Sequence, residues 1–183
     1  MQWPAFSKSD TPLDVLVKLS HFYGSDPEFV LAGGGNTSVK VGDRLFVKGS
    51  GHALATMPPD GFAEMDRHRL EALLNSTLSE ERMQREAEFK AATLAARVHP
   101  EKNQRPSVEA LLHHLMPRQY VVHTHSTLVN MVTCCAKGPE LALTLEFGER
   151  VLKNAELAGE RNPQIMLFGD ERGGDAVLLR VNE

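Results

Sequence analysis

The sequence predicts an α/β domain, and three observations predict it. Apolar residues recur at helical spacing in several stretches. Short strand-like runs lie between those stretches. Clusters of glycine, proline and asparagine separate the two kinds of segment. The 183 residues suffice to bury a sizeable core and suit one domain. No repeat, low-complexity tract or evident domain boundary interrupts them.

Thr11-Pro12 opens the first helix, since proline is tolerated at the first helical position. Leu13, Leu16, Val17 and Leu19 form its apolar stripe, and Gly24 is its stop. Val30-Leu31-Ala32 runs into Gly33-Gly34-Gly35. Two strands follow, Thr37 to Val41 and Arg44 to Lys48, joined by a Gly42-Asp43 hairpin turn. Pro58-Pro59-Asp60-Gly61 is loop sequence. Residues from Asp66 to Val98 read as two helices broken near Asn75 to Ser79. A second loop runs from His99-Pro100 to Arg105-Pro106. Ser107 is the N-cap of a helix that Pro117 must end, with Val108, Leu111, Leu112 and Leu115 as its buried stripe. Tyr120 to His125 reads as a strand and Leu128 to Ala136 as a helix. Pro163 to Phe168 and Ala176 to Val181 read as two final strands.

Composition narrows the function. Hydrophobic residues are 42% and charged residues 24% of the chain, as in ordinary soluble proteins. A net charge of −4 argues against a general nucleic-acid surface. No apolar run approaches the roughly 20 residues that span a bilayer. The first residues lack the basic flank and apolar stretch of a secretory signal. Cys134 and Cys135 are adjacent and imply no disulfide framework; a buried apolar pair is expected. The expected setting is the cytoplasm, away from membranes.

Three segments carry chemistry. In Tyr120-Val121-Val122-His123-Thr124-His125, strand alternation places His123 and His125 on one face. Two imidazoles there can grip a divalent ion such as zinc, or can simply be a polar strand face. Arg105-Pro106-Ser107-Val108-Glu109 opens the preceding helix. Glu109 can serve as ligand or general base, or can merely complement the helix dipole or pair with His113. Gly33-Gly34-Gly35-Asn36-Thr37-Ser38, Gly49-Ser50-Gly51 and Ser107 offer N–H and hydroxyl donors suited to a phosphate. None of these matches a Walker loop or a dinucleotide fingerprint.

The ordered motifs Gly-Gly-Gly-Asn-Thr-Ser, Lys-Gly-Ser-Gly, Pro-Ser-Val-Glu and His-Thr-His resemble those of the class II aldolase/adducin family, from about Leu31 to about Gly148. Within it the pattern is most similar to the rhamnulose-phosphate aldolase domain joined to a short-chain dehydrogenase. The resemblance implies one three-layer α/β/α domain with a central, mainly antiparallel sheet. It implies a divalent metal, usually zinc, and a homo-oligomer, commonly a tetramer. By the resemblance, His123 and His125 are metal ligands and Glu109 the catalytic acid/base. Gly35, Asn36, Ser50, Gly51 and Ser107 form the phosphate cradle. The implied reaction cleaves a ketose 1-phosphate to dihydroxyacetone phosphate and an aldehyde.

The family's third histidine has no counterpart, because no histidine follows His125. Asp170 or Glu171 is the candidate replacement, since zinc accepts carboxylate oxygen; a polar turn is the alternative. The family's Pro-Gly element is also missing beyond Phe147-Gly148. Residues from about 149 to 183 therefore read as diverged or truncated. Beside the aldolase stand a related epimerase or dehydratase, and a non-catalytic adducin-like binding or scaffold domain.

Overall fold

The computed structural model describes residues 2–137, 163–169 and 175–181. They fall into two compact units, residues 1–25 with 36–122 and residues 26–35 with 123–183.

In the first unit, helix α1 spans Pro12–Gly24. Thr11 and Asp14 close it with a reciprocal capping box, worth about 1 kcal/mol. Strands β1 (Asn36–Val41) and β2 (Arg44–Lys48) form the expected hairpin, with Val41 opposite Arg44. Gly42 has φ 55°, as the first position of a II′ turn requires. After a 3₁₀ turn at Pro59–Gly61 comes β3 (Phe62–Asp66), antiparallel to β2, a strand the sequence reading did not separate from its neighbours. With β4 (Tyr120–His123) the sheet order is β3-β2-β1-β4.

The helical stretch expected over Asp66 to Val98 resolves into α2 (Arg67–Leu74) and α3 (Arg82–Ala95). Asp66 is the N-cap of α2, accepting from the backbone N–H groups of His68 and Arg69. Residues after Ala95 leave the helix for the sheet edge: Val98 donates to Glu64 O at 2.9 Å, and Asp66 donates to Ala96 O at 2.8 Å.

The pleat of β1 sets the layers of this unit. Neighbouring residues of a strand face opposite sides. Thr37 Oγ1 meets Ser20 of α1 at 2.7 Å. Ser38 Oγ meets His113 of helix α4 (Ala110–Leu115) at 2.7 Å. The two helices therefore cover opposite faces of the sheet. On the α4 side, Leu45, Val47, Ala63, Met65, Leu70, Ala96 and Ala110 form the core.

Helix α4 departs from expectation. Its buried residues are Ala110, His113 and His114, whereas Val108 is 61% and Leu115 55% exposed. Of the expected stripe only Leu111 packs against the core. Polar partners turn the helix over: Ser38 takes His113, and Glu71 takes His114 Nε2 at 2.9 Å.

In the second unit, α5 spans Thr127–Cys134 and the strands β5 (Pro163–Gly169) and β6 (Asp175–Val181) pair antiparallel. The strand expected to reach His125 stops at His123, because His125 N–H is donated to Phe29 O at 2.9 Å instead of to the sheet. Cys134 and Cys135 are exposed, not buried, because they lie at the open end of α5. Asp170, Glu171, Phe147 and Gly148 lie outside the described residues. Among the described residues no helix is long and apolar enough to cross a membrane.

Gly24 is needed where α1 meets the 3₁₀ turn Leu54–Thr56: a Cβ there would stand 2.2 Å from Ala55 N and 2.5 Å from the Leu54 carbonyl carbon. Backbone cannot yield as a side chain does. Gly24→Ala is expected to lower unfolding free energy by roughly 1–3 kcal/mol. Gly33→Ala, where a Cβ would meet nothing within 4 Å, should stay within about 0.5 kcal/mol of the parent. Urea denaturation of both variants checks this; equal losses would contradict the packing.

Candidate functional site

The hairpin β1–β2 and the turn before α4 bring together most of the residues singled out in the first unit. An antiparallel bridge joins Gly49 to Pro106. Ser107 donates its backbone N–H to Lys48 O at 3.0 Å, and Ser50 donates its own to Arg105 O at 2.8 Å. These bonds fix the two loops side by side. They also occupy the backbone N–H groups of Ser50 and Ser107. Gly51 sits beside them at φ 94°.

Asn36 ties this pair of loops to the acid. Its Nδ2 donates to Ser107 Oγ and to Glu109 Oε2, the latter at 3.2 Å. Ser107 Oγ also accepts from Glu109 N–H at 3.2 Å. Glu109 is itself the N-cap residue of α4 and makes no side-chain cap bond. Ser107, expected as the N-cap, does the same satisfying of donors two residues earlier. The side chain of Glu109 is thus held by Asn36 and not by the helix end. Asn36 is 2% exposed, and its Oδ1 is buried with no hydrogen-bond partner among the described residues. A buried acceptor of this kind suits a hydroxyl-bearing ligand.

His113 lies one helical turn beyond Glu109 and is fully buried. Ser38 Oγ engages its Nδ1 at 2.7 Å. A carboxylate oxygen of Glu109 and a ring nitrogen of His113 lie within 4.8 Å of each other. Sequence spacing pointed only to a surface pair here.

Charge in this unit is tuned by burial. Burial pushes the Lys48 ammonium below its usual pKa, and the negative charge of Glu109 opposes the shift. Lys40, 9% exposed, is lowered to about 8 by burial and by the nearby Arg67. Its Nζ donates to Arg118 O at 2.8 Å.

The second unit holds the two histidines of the His-Thr-His run. Their ring centroids are 4.8 Å apart and tilted by 39°. His123 is 1% exposed. The glycine triplet passes close beside the second ring: a Cβ on Gly34 would lie 3.0 Å from Leu31 O and 3.6 Å from His125 Nδ1. Gly35 follows with φ 70°, a left-handed value that favours glycine.

Comparison with known proteins gives three findings. The profile of the Class II Aldolase and Adducin N-terminal domain matches residues 15–177. The chain is 31% identical over 160 residues to the uncharacterized oxidoreductase YuxG of Bacillus subtilis (strain 168), covering 81% of this chain and 22% of that protein. It thus spans less than a quarter of that relative's length. Among solved structures it is similar to the N-terminal class II aldolase domain of a conserved protein from Thermoplasma acidophilum. The TM-score is 0.65 at 30% identity, over 78% of this chain and 68% of the other.

The bond from Ser38 to His113 should carry measurable stability. Ser38→Ala leaves a buried ring nitrogen without its hydroxyl, at an expected cost of about 1–3 kcal/mol. Chemical denaturation reads this directly, and an unchanged midpoint would mean the pair contributes nothing.

Proposed function

The chain belongs to the class II aldolase and adducin family, and from that premise we propose that it is a divalent-metal-dependent aldolase acting on a phosphorylated ketose. The observation that carries the reading is the tether of Glu109 through Asn36 to Ser107. It supports the reading because it links a carboxylate, an amide and a hydroxyl in one hydrogen-bonded cluster.

The residues present fit a divalent ion. In the first unit Glu109 and His113 offer a carboxylate and an imidazole, in the second His123 and His125 offer two imidazoles, and zinc accepts both kinds of donor. His125, beside His123, is the further ligand in this proposal. When bound there, such an ion supplies Lewis-acid stabilisation of negative charge on the substrate's oxygens.

The chain's own groups do the rest. Glu109 takes or returns the proton as the carbon–carbon bond breaks or forms. Asn36 keeps its carboxylate from turning toward the helix end. The hydroxyls of Ser50 and Ser107, with Asn36 and Gly51, receive the phosphate. Buried Lys48 adds a positive charge near Glu109, which favours a doubly negative ligand. The products of a ketose 1-phosphate would be dihydroxyacetone phosphate and an aldehyde. The name of YuxG as an oxidoreductase, with the small share of it that this chain spans, supports an aldolase-like unit of the sort joined to a dehydrogenase. A cytoplasmic setting belongs to the same proposal.

Self-association is a further part of this reading. Leu115, at the C-terminal end of α4, is 55% exposed. A second copy of the chain is the occupant this face suits. Leu115→Asp is expected to shift sedimentation toward a smaller species; a parent that already sediments as a monomer at micromolar concentration would overturn this part.

The enzymatic part is tested by metal analysis together with an aldol-cleavage assay on a panel of ketose 1-phosphates. The protein grown with zinc should hold a stoichiometric ion. His123→Ala should lose both ion and cleavage, and Glu109→Gln should lower kcat by about 10²–10⁴-fold. Metal-free protein after growth with zinc, or full activity in His123→Ala, would sink the proposal.

A further inference from the structure

Away from the cluster around Asn36, the first unit has a cavity of about 250 Å³ between α3 and residues 105–108. Its walls are mainly apolar: Phe89 and Leu94 come from α3, and Pro106 and Val108 from the facing segment. Val108 is 61% exposed although it is a large aliphatic residue. Its rim is charged by Lys90, Arg105 and Glu86. Arg82 already holds Glu86 at 3.1 Å, so the balance left to a ligand is positive. A space of this size takes only a small ligand.

We propose that this cavity binds a small carboxylate with a short apolar tail. The tail would lie against Phe89, Leu94 and Val108. The carboxylate would meet Arg105, whose planar fork matches its two oxygens, with Lys90 as a second cation. Neither half suffices alone. A bare anion leaves the apolar walls wet, and a neutral chain leaves the cations unanswered. Charge complementarity and volume together select the occupant.

The cavity also touches the candidate site. Ser107 lines it, and Ser107 Oγ is the group that holds Asn36 and the backbone of Glu109. Val108 is the residue between Ser107 and Glu109. A ligand packed on Val108 therefore restrains the turn that presents the acid. The binding claim goes beyond the aldolase reading and stands or falls without it.

The test is a titration of the ¹⁵N-labelled full chain with hexanoate, hexan-1-ol and inorganic phosphate. Hexanoate should give saturable shifts at the amides of Phe89, Lys90, Thr93 and Val108. Hexan-1-ol should bind at least about tenfold more weakly. Phosphate should leave these amides unmoved. The Lys90→Glu/Arg105→Glu double variant alters exposed side chains, so its thermal midpoint should match the parent while its hexanoate Kd rises about tenfold or more. Shifts that do not saturate, equal binding of hexan-1-ol, phosphate shifts at the same amides, or unchanged affinity in the double variant would each overturn the proposal. No readout involves metal or cleavage, so failure here is distinct from failure of the aldolase reading.

Discussion

Two adjacent hydroxyls on β1 organise the first unit. Thr37 and Ser38 must face opposite sides of the sheet, and each is bonded to a helix on its own side, Ser20 of α1 and His113 of α4. All four side chains are fully buried. Fully buried polar groups tolerate few alternatives, since an unmade bond costs more than a made one gains. The pair therefore fixes which face of α4 turns inward. That choice fixes where Glu109 begins the helix and where Asn36, two residues before Ser38 on the same face, can reach it.

From this constraint the candidate site follows as a strand-and-turn construction. Asn36, Ser38 and the loop after β2 come from one hairpin, and Ser107 to His113 come from one turn and helix. Backbone bonds from Ser107 to Lys48 and from Ser50 to Arg105 lock these two pieces edge to edge. The site's acid is thus held by sheet geometry, which is stiff, and not by a long loop. Such support suits an acid/base group, for which small displacements are costly.

Local signals were legible where a residue has one mechanical reason to be present. Thr11 with Asp14 caps a helix, and Gly42 supplies positive φ at a hairpin turn; both elements lie where the sequence put them. Pro163 to Phe168 and Ala176 to Val181 gained only one residue each, Gly169 and Asp175. The ordered motifs carried the family, because four short patterns in sequence are far more specific than any one. Nonlocal choices were not legible. β3 is five residues caught between a 3₁₀ turn and the cap of α2, and its edge partner arrives only at Arg97 and Val98. His125 leaves the strand for Phe29, almost a hundred residues earlier, and no local pattern encodes that bond.

The inversion of α4 shows why the site itself was only half legible. The stripe of Val108, Leu111, Leu112 and Leu115 reads as core by periodicity alone, yet only Leu111 packs against the core, because periodicity finds a face and not its direction. What decides direction is the sum of partners on each side. Burying His113 and His114 would cost several kcal/mol without hydrogen-bond partners, yet Ser38 and Glu71 each engage one ring nitrogen within hydrogen-bond distance. The leucines then pay a smaller cost, since exposing one aliphatic side chain forfeits about 1.5–3 kcal/mol at most, and less where part of it stays covered. A helix that buries two histidines while Leu115 is left exposed gives up stability that a purely structural helix would keep. Local rules fail in this way most often at functional sites. The simplest sequence rule fails at α4 because polar partners on β1 and α2, which periodicity does not see, decide its inward face.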